Sequence, residues 1–387
     1  MTRVAVKVIL VVLTCAAADC KKPPQPGDPL GGLSAAERAR FDSGRVVFES
    51  TFTAEVGLGP LFNGSGCAEC HEDPVVGAVG DEVERHASIF HPEQPGFSCD
   101  LLAPQGGPVF QDSVTPALRA ALGIEREALP PGVSTAAART TPDVFGFGLL
   151  DAVSDSTILS YADPDDRNGD GISGRPNRFF DGRIGRFGRK ALVPALREFN
   201  DGAFQIEIGI TNPAVLDEGT VTGRPFPAGT DPAPEPELNE RGLVLTDAFV
   251  RLLAPPAPLK QSREAKQGRE VFNRAGCAAC HVPVLRTGDN PIAALSHKDV
   301  AAYTDLLLHD MGDGLADICF GLATPNEFRT EPLMGLHLGT QFLHDGRAKT
   351  PEEAIDFHGG EATRSRDLFR SLPAADQAAL IAFLKTL

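Results

Sequence analysis

The sequence has no tryptophan, two tyrosines and three methionines, and its acidic residues outnumber its basic ones. With 36 Lys and Arg against 52 Asp and Glu, the formal net charge is −16. A surface this acidic repels phosphate backbones and anionic lipid headgroups, and it favours a basic or neutral protein partner. We therefore expect no nucleic-acid partner.

The chain also lacks an apolar run long enough to cross a membrane. Basic residues near the start precede a short apolar run at 8–13, and Ala16–Ala18 offers a small-residue cleavage site. This order predicts a signal peptide over residues 1–18. Cys20 before a Pro-rich tether leaves a lipoprotein leader ending at residue 20 as the alternative, so a lipid would be the only membrane anchor.

Two stretches of the chain are versions of each other, and both end in Cys-x-x-Cys-His. They run from Phe62 to His71 and from Phe272 to His281, and both begin Phe-Asn-x-x-Gly. Two thiols at this spacing can form thioethers with the vinyl groups of one haem, and the adjacent histidine can bind the iron. A single four-cysteine zinc site is the alternative, but it leaves both histidines and the repeated context unexplained. We predict two covalently bound haem c groups at Cys67, Cys70, His71, Cys277, Cys280 and His281. Because c-type haem is attached outside the bacterial cytoplasm, export to the periplasm is expected.

The repeat extends to the residues that precede the two motifs. A capping box at Ser34–Glu37 starts a helix, and its Gly44–Phe48 segment returns as Gly268–Phe272. A helix that leads into Cys-x-x-Cys-His is how a cytochrome c domain begins, whereas 40 glycines and 32 prolines imply much loop. We predict a mainly α fold, in which a Pro-rich linker (19–33) precedes two cytochrome c-like haem domains with a loop-rich intervening segment, at 34–254 and 259–387.

The second half of the chain contains three clearer helix signals. Residues 240–253 have helical apolar spacing, which the prolines from Pro255 end. Thr350–Glu353 combines an N-cap, Pro at N1 and Glu at N3, so a short helix should follow and reach His358. An amphipathic helix over 371–387 closes the chain.

Each haem motif is followed by an Arg-Thr-x-Pro segment, which begins at Arg139 after the first motif and at Arg329 after the second. Either arginine could pair with haem propionates. The alternative is an arginine that holds a turn, and the sequence leaves both open. Cys99 and Cys319 are also undecided, because an oxidising compartment allows a disulfide but two separate buried thiols fit equally well.

The segment Asp163–Asn177 is rich in Asp and Gly. Asp166, Asn168 and Asp170 match the first half of a calcium loop, with oxygen ligands at alternate positions before a glycine. The twelfth position, where a bidentate glutamate is expected, is Asn177. A calcium site and a metal-free turn therefore both remain open.

The second axial ligand of each iron decides whether the haem is reactive or mainly carries electrons. For the first haem, His86 and His91 follow the motif at 15 and 20 residues. For the second haem, His344 and His358 lie at the expected place near the last helices. Other candidates for the second haem are His297, His309, His337, Met311 and Met334.

The segment Gln341–Glu361 resembles the C-terminal signature of the bacterial di-haem cytochrome c peroxidase and MauG superfamily. The closer resemblance is to its di-haem oxidoreductase branch, whose members are often labelled thiol oxidoreductases. Further matching segments extend the resemblance over nearly the whole mature chain, at 57–63, 142–150, 163–175, 185–188 and 305–312.

The resemblance implies a ligand set. In the superfamily, the residue 14 positions after the His of the His-Asp-Gly motif approaches the second haem, and here His344 is that His and His358 lies 14 positions on. His358 would then bind iron opposite His281, with His344 beside the haem. The first haem would be the peroxide site, where proton transfer would need an acid or base such as His86, His91 or Asp151.

One departure concerns electron transfer, because the superfamily passes electrons between its haems through a tryptophan. Arg189 and Met334 stand where that tryptophan is expected. We expect a periplasmic, peroxidase-like di-haem c-type oxidoreductase that moves electrons from a small cytochrome or cupredoxin through the C-terminal haem to peroxide at the N-terminal haem. The alternatives are a di-haem electron-transfer cytochrome without substrate chemistry, and MauG-like oxidation of an organic or protein substrate.

Overall fold

The computed structural model describes residues 23–94, 98–133 and 135–387. The predicted signal peptide and the lipoprotein alternative at Cys20 fall outside these residues. Within them, no helix is long and apolar enough to span a bilayer. The α-helices are α1 (Ala35–Phe48), α2 (Cys67–Cys70), α3 (Pro116–Leu122), α4 (Phe147–Asp151), α5 (Asp155–Leu159), α6 (Leu196–Ile208), α7 (Glu240–Leu252), α8 (Arg263–Arg274), α9 (Pro351–Asp356), α10 (Thr363–Ser371) and α11 (Ala374–Leu384). The strands are β1 (Leu61–Phe62), β2 (Val83–Phe90), β3 (Cys99–Asp100), β4 (Val109–Phe110), β5 (Ser113–Val114), β6 (Thr135–Thr140), β7 (Leu285–Arg286), β8 (Asp299–Val300), β9 (Leu308–Asp310) and β10 (Glu327–Arg329).

The helices that lead into the two haem motifs are packed in the same way. Helix α1 meets α7 at Gly44, where a Cβ would overlap the carbonyl oxygen of Leu245. Helix α8 meets α11 at Gly268, where a Cβ would overlap the carbonyl oxygen of Ala379. Only glycine allows two backbones this close. The repeated Gly-Arg-x-Val-Phe sequence therefore reflects a repeated helix contact.

Local sequence sets the ends of these helices. Ser34 and Glu37 make both hydrogen bonds of the predicted capping box, which is confirmed. The predicted N-cap Thr350 accepts from the backbone N–H of residue 353 at the start of α9. The single closing helix predicted over 371–387 is wrong in its first turn, because Pro373 separates α10 from α11.

The expectation of a mainly α fold holds only in part. Between the first haem motif and α4, the long strand β2 pairs antiparallel with β3, β4 and β6 in a four-stranded sheet. Strands β2 and β6 pair over six residues, from Val83 opposite Thr140 to Ser88 opposite Thr135. Because residues two apart in a strand share a face, this sheet brings Glu84 and His86 to the same side.

A disulfide and an ion pair join this sheet to the C-terminal half of the chain. Cys99 of β3 forms a disulfide with Cys319, with the two Cα atoms 5.6 Å apart. Arg139 of β6 donates from Nε and from a terminal nitrogen to Asp317, at 2.8 and 2.6 Å. Of the two alternatives for the cysteines, the structure has the disulfide.

The largest apolar core crosses the predicted domain boundary at 255–258. Helices α8, α10 and α11 enclose a second core, formed by residues such as Phe272 and Phe383. The two predicted domains are thus packed on a shared interior, which includes Phe48, Phe145, Phe187 and Phe249 from the first and Leu295, Leu306, Leu307 and Met334 from the second.

The predicted linker is packed against the protein from residue 27 onward. The N–H of Leu30 donates to the carbonyl of Leu252 at 2.8 Å, and the N–H of Ala254 donates to the carbonyl of Asp28 at 3.0 Å. Arg45 of α1 donates to the carbonyl of Gly27. Residues 27–30 of the predicted linker (19–33) are therefore part of the folded protein.

Candidate functional site: two unequal haem-binding motifs

A cavity of about 290 Å³ lies beside the second Cys-x-x-Cys-His motif. His281 lines it from the motif, and His358 reaches it from the segment after α9. Most of the remaining wall is apolar, with Phe272, Ile355 and Phe369 among its residues. An apolar cavity with a few convergent polar groups is the usual form of a cofactor site.

The two imidazoles are spaced for one metal ion between them. The ring centroids of His281 and His358 are 6.5 Å apart, with the rings inclined at 43°. With metal–nitrogen bonds of about 2.0–2.1 Å, two imidazoles on opposite sides of one metal have centroids roughly 6 Å apart. The observed spacing therefore fits axial ligation of one iron from both sides.

A backbone carbonyl fixes one nitrogen of each of these rings. His281 Nδ1 donates to the carbonyl of Tyr303 at 3.0 Å, and His358 Nδ1 donates to the carbonyl of Ala354 at 2.8 Å. These hydrogen bonds set the tautomer and leave each Nε2 free for a metal. Burial lowers the pKa of both imidazoles, that of His281 to about 4, so both are neutral at neutral pH, as metal binding requires.

The chemistry of this donor set fits a c-type haem. Cys277 and Cys280 are free thiols that line the same cavity as the two imidazoles. His344 also lines the cavity, with its ring stacked on Phe328 at 4.6 Å between centroids. This is the place beside the haem that the resemblance implies for it.

The two arginines of the Arg-Thr-x-Pro segments have different surroundings. Arg139 donates from Nε and from one terminal nitrogen to Asp317. This contact favours a structural role for Arg139. Arg329 lines the cavity and donates to Glu331 at 2.8 Å. Its buried Nε has no partner among the described residues. Arg329 therefore has a donor in the cavity for a haem propionate, whereas Arg139 is not among the residues that line the cavity.

The positions where relatives are expected to have tryptophan are also in this cavity. Arg189 donates to the carbonyl of Thr140 at 3.2 Å and lies 3.3 Å from Glu331. Met334 is buried against Gly146, and both Arg189 and Met334 line the cavity. An ion-paired guanidinium and a thioether thus stand at the positions where the resemblance leads us to expect an indole ring.

The first motif has a more acidic environment. Cys67 and Cys70 are free thiols, and the ring of His71 lies 5.9 Å from that of Phe48. His71 Nδ1 is buried without a partner among the described residues. Burial raises the pKa of the Cys70 thiol, and four carboxylates raise it further, those of Glu82, Glu207, Glu84 and Glu69. Two free thiols beside a buried imidazole fit a second c-type haem.

A hydrogen-bonded carboxylate pair lies next to His71. His86 Nε2 is 3.0 Å from Glu84 Oε2, and Glu84 hydrogen-bonds to Glu207 of α6. Two carboxyl groups can hydrogen-bond to each other only when one is protonated. Burial and the neighbouring Glu84 raise the pKa of Glu207, so the proton resides there. Glu84 acts electrostatically on His71, and Glu207 acts on Cys67 and Cys70, so the carboxylate pair lies near the first haem motif.

The other two acid–base candidates have different surroundings. His91 lies at the partly exposed end of β2, with Nδ1 3.4 Å from Glu93. Asp151 accepts from the N–H of Leu196 at 2.9 Å and pairs with Arg251. These contacts give Asp151 a structural role, because it caps α6 and ties that helix to α7.

Sequence reasoning missed the Glu84–Glu207 pair. For Glu84 a local signal existed, since it stands two residues before His86 and would share its face in a strand. For Glu207 there was none, because it comes from a helix 123 positions further along the chain. Their contact depends on the tertiary fold alone.

Side chains of the Asp/Gly-rich loop accept hydrogen bonds from the loop's own backbone. Asp166 accepts from the N–H of Gly171, Asn168 from that of Asp170, and Asp170 from that of Ile172. Asn177 instead donates to two carbonyls, those of Lys190 and Phe320. These contacts hold the loop as a hydrogen-bonded turn, and the calcium site stays a prediction.

A separate cluster of four carboxylates lies within residues 218–237. Glu218, Asp231, Glu235 and Glu237 offer oxygen atoms that all lie within 4.8 Å of one another. Burial and neighbouring like charges raise the pKa of Glu218 to about 9. At neutral pH this group is therefore protonated.

The model of the family described as "Di-haem oxidoreductase, putative peroxidase" matches residues 129–387, which is more than half of the chain. The chain belongs to this family of di-haem, peroxidase-like oxidoreductases. Its cofactors are accordingly two haems.

The chain is also similar to three other proteins. A curated cytochrome-c peroxidase, IdrP2 of Denitromonas iodatirespirans, is 26% identical over 146 residues, which cover 32% of this chain and 39% of that protein. The chain thus matches well under half the length of this relative. The structure of the di-haem peroxidase BthA from Burkholderia thailandensis is 15% identical, covers 90% and 86% of the two chains, and has a TM-score of 0.40. A MauG-like protein associated with microbial copper homeostasis is 16% identical, covers 95% and 93%, and has a TM-score of 0.39. These TM-scores are too low to add to the family assignment.

Proposed function

We propose that this protein is a periplasmic peroxidase that binds one haem covalently at Cys67 and Cys70 and another at Cys277 and Cys280. The observation that carries the proposal is that the two motifs have unequal surroundings. His281 faces a second imidazole at a distance that fits one iron, whereas the ionisable groups around the first motif are carboxylates that hold a proton.

The second site is suited to electron entry. A haem with both axial positions filled by the protein mainly carries electrons. The carbonyls of Tyr303 and Ala354 accept hydrogen bonds from the two imidazoles. These bonds would hold both rings when an electron arrives, so little would have to rearrange. A small cytochrome or cupredoxin is the proposed donor.

The first site is suited to peroxide reduction, which consumes two electrons and two protons for each pair of waters formed. A haem bound there would supply the iron at which the oxygen–oxygen bond is cleaved. Glu207 would donate its proton to the departing oxygen, and Glu84 would accept one from the oxygen that stays. The hydrogen bond from His86 keeps Glu84 in position.

A peroxidase assay with a reduced cytochrome donor tests these roles. We expect Glu207→Gln to lower peroxide turnover by about 10² or more, because a positioned acid or base contributes about 10²–10⁴. The matched control is Glu198→Gln in the same helix, which is 39% exposed and paired with Arg183. Equal turnover in the two variants would contradict the proposed role of Glu207.

The second candidate is a di-haem electron-transfer cytochrome. The observation that favours it is the missing tryptophan, since Arg189 and Met334 occupy the expected positions. Such a protein would exchange electrons with its donor and give no turnover with peroxide. The same assay therefore separates the two candidates.

A further inference from the structure

His309 of β9 is buried between two carboxylates beside the second haem motif. Its Nε2 lies 2.9 Å from Asp305 Oδ2 and its Nδ1 lies 2.8 Å from Glu361 Oε2, and the residue is 3% exposed. Burial alone would lower the pKa of His309, but the hydrogen bonds to Asp305 and Glu361 raise it. An imidazole that donates from both nitrogens is a cation. Asp305, His309 and Glu361, called the His309 triad below, therefore carry one excess negative charge.

The His309 triad is in contact with the haem attachment site itself. Nδ1 of His309 lies 3.6 Å from Sγ of Cys280. Both His309 and Glu361 line the cavity that lies between the two imidazoles. In a buried, low-dielectric setting, a charge at this distance acts more strongly on the haem than a surface charge does.

The triad also links the two sides of the second haem site. Asp305 follows Tyr303 by two residues, and the carbonyl of Tyr303 holds His281. Glu361 follows His358 by three residues, in the turn between α9 and α10. His309 thus joins the segment that holds one axial imidazole to the segment that carries the other.

The Asp/Gly-rich loop covers the outer side of the triad. Ser173 donates to Glu361 from its backbone N–H at 3.1 Å and from its hydroxyl at 2.6 Å. At Gly174, a Cβ would come within 2.7 Å of Cε1 of His309. Only glycine lets this loop approach the imidazole so closely. The contacts give the loop a structural task that needs no calcium.

We propose that the His309 triad positions both axial ligands of the second haem and that its excess negative charge lowers the reduction potential of that haem. This inference rests on haem attachment at Cys277 and Cys280. The physical reason is that negative charge stabilises the oxidised haem, which carries one more positive charge than the reduced haem. A fixed link between the two ligand segments keeps the imidazoles at the separation that closes both axial positions.

Glu361→Gln in the haem-loaded protein tests the charge. The amide preserves the shape and can still accept from His309, but it removes one negative charge. We expect the reduction equilibrium of the low-spin haem to shift at least tenfold towards the reduced form, which is 59 mV for one electron. Asp305→Asn removes one negative charge on the opposite side of His309 and should shift the reduction equilibrium in the same direction. If one of the two variants fails to fold, the other still tests the proposal.

The matched control is Asp299→Asn, which removes an exposed carboxylate paired with Arg286 in the same half of the chain. We expect less than a twofold shift there, because solvent screens an exposed charge. A shift below twofold in both Glu361→Gln and Asp305→Asn would overturn the charge proposal.

His309→Gln tests the positioning of the ligands by electron paramagnetic resonance of the oxidised protein. We expect part of the second haem to become high-spin, because the two ligand segments are no longer joined. A fully low-spin second haem in this variant would overturn the positioning proposal. If the wild-type chain carries no covalent haem at Cys277 and Cys280, the proposed function itself fails, and the haem content of the purified protein shows this before any variant is compared.

Discussion

Gly268→Ala should separate the two helices that enclose the second haem motif. In the structure, a Cβ at Gly268 would lie 2.5 Å from the carbonyl carbon of Ala379 and 2.8 Å from Cβ of Phe383. Since carbon atoms pack at about 3.5–4.0 Å, the helices must move apart by roughly 1 Å. Phe383 is part of the core that α8 and α11 share, so this movement loosens packing around the motif.

We expect a loss of about 3 kcal/mol in the free energy of unfolding for Gly268→Ala, the upper end of what overpacking a core costs. Denaturation of the haem-loaded protein, followed by circular dichroism, measures this loss. The matched control is Gly202→Ala within α6, where an added Cβ meets only Cδ1 of Ile206 at 3.9 Å. There alanine should be neutral or stabilise by up to about 1 kcal/mol, because it favours the helix and nothing is displaced. Equal effects at the two positions would refute the assignment of Gly268 as a close-contact residue.

Three other changes have outcomes fixed by the same structure. Asp317→Asn should cost about 3–5 kcal/mol of unfolding free energy, because fully buried Lys190 loses its carboxylate partner at 2.8 Å; a cost below about 1 kcal/mol in denaturant unfolding would contradict this. Cys319→Ser opens a bridge between residues 220 apart and should cost about 2–4 kcal/mol, a difference that must disappear when the wild-type protein is reduced. For Glu218, whose folded-state pKa of about 9 lies above its ordinary value of 4.5, stability is lost as pH rises between these values. Glu218→Gln should therefore gain on the order of 1 kcal/mol at pH 8 with chelator present and show no gain near pH 4, whereas a gain independent of pH would contradict the assigned pKa.

Short-range patterns predicted much of this molecule. The two Cys-x-x-Cys-His motifs, the capping box before α1 and the N-cap before α9 are local signals, because each is fixed by residues within one or two helical turns. His358 was predicted by the resemblance, and the structure brings it opposite His281. The repeated glycine was noticed in the sequence, but its purpose required knowing which helix crosses it.

Contacts between distant segments could not be predicted in this way. Strand β6 reads Thr-Ala-Ala-Ala-Arg-Thr, which is poor in branched apolar residues, and its pairing with β2 depends on tertiary packing. Arg139 meets Asp317 across 178 positions, so this ion pair has no local signature in the sequence. The same holds for the partners of His309, since Glu361 lies 52 positions away. A single sequence therefore does not predict which distant charged groups come into contact in the folded protein.

The proposed function requires that the two haem sites differ: both axial positions of the second would be filled by imidazoles, and one axial position of the first would stay open near the Glu84–Glu207 pair. Electron paramagnetic resonance of the oxidised protein, recorded before and after addition of hydrogen peroxide, tests it most directly. The account predicts one low-spin signal that peroxide leaves unchanged and one high-spin signal that peroxide alters. Two low-spin signals that both ignore peroxide would contradict it.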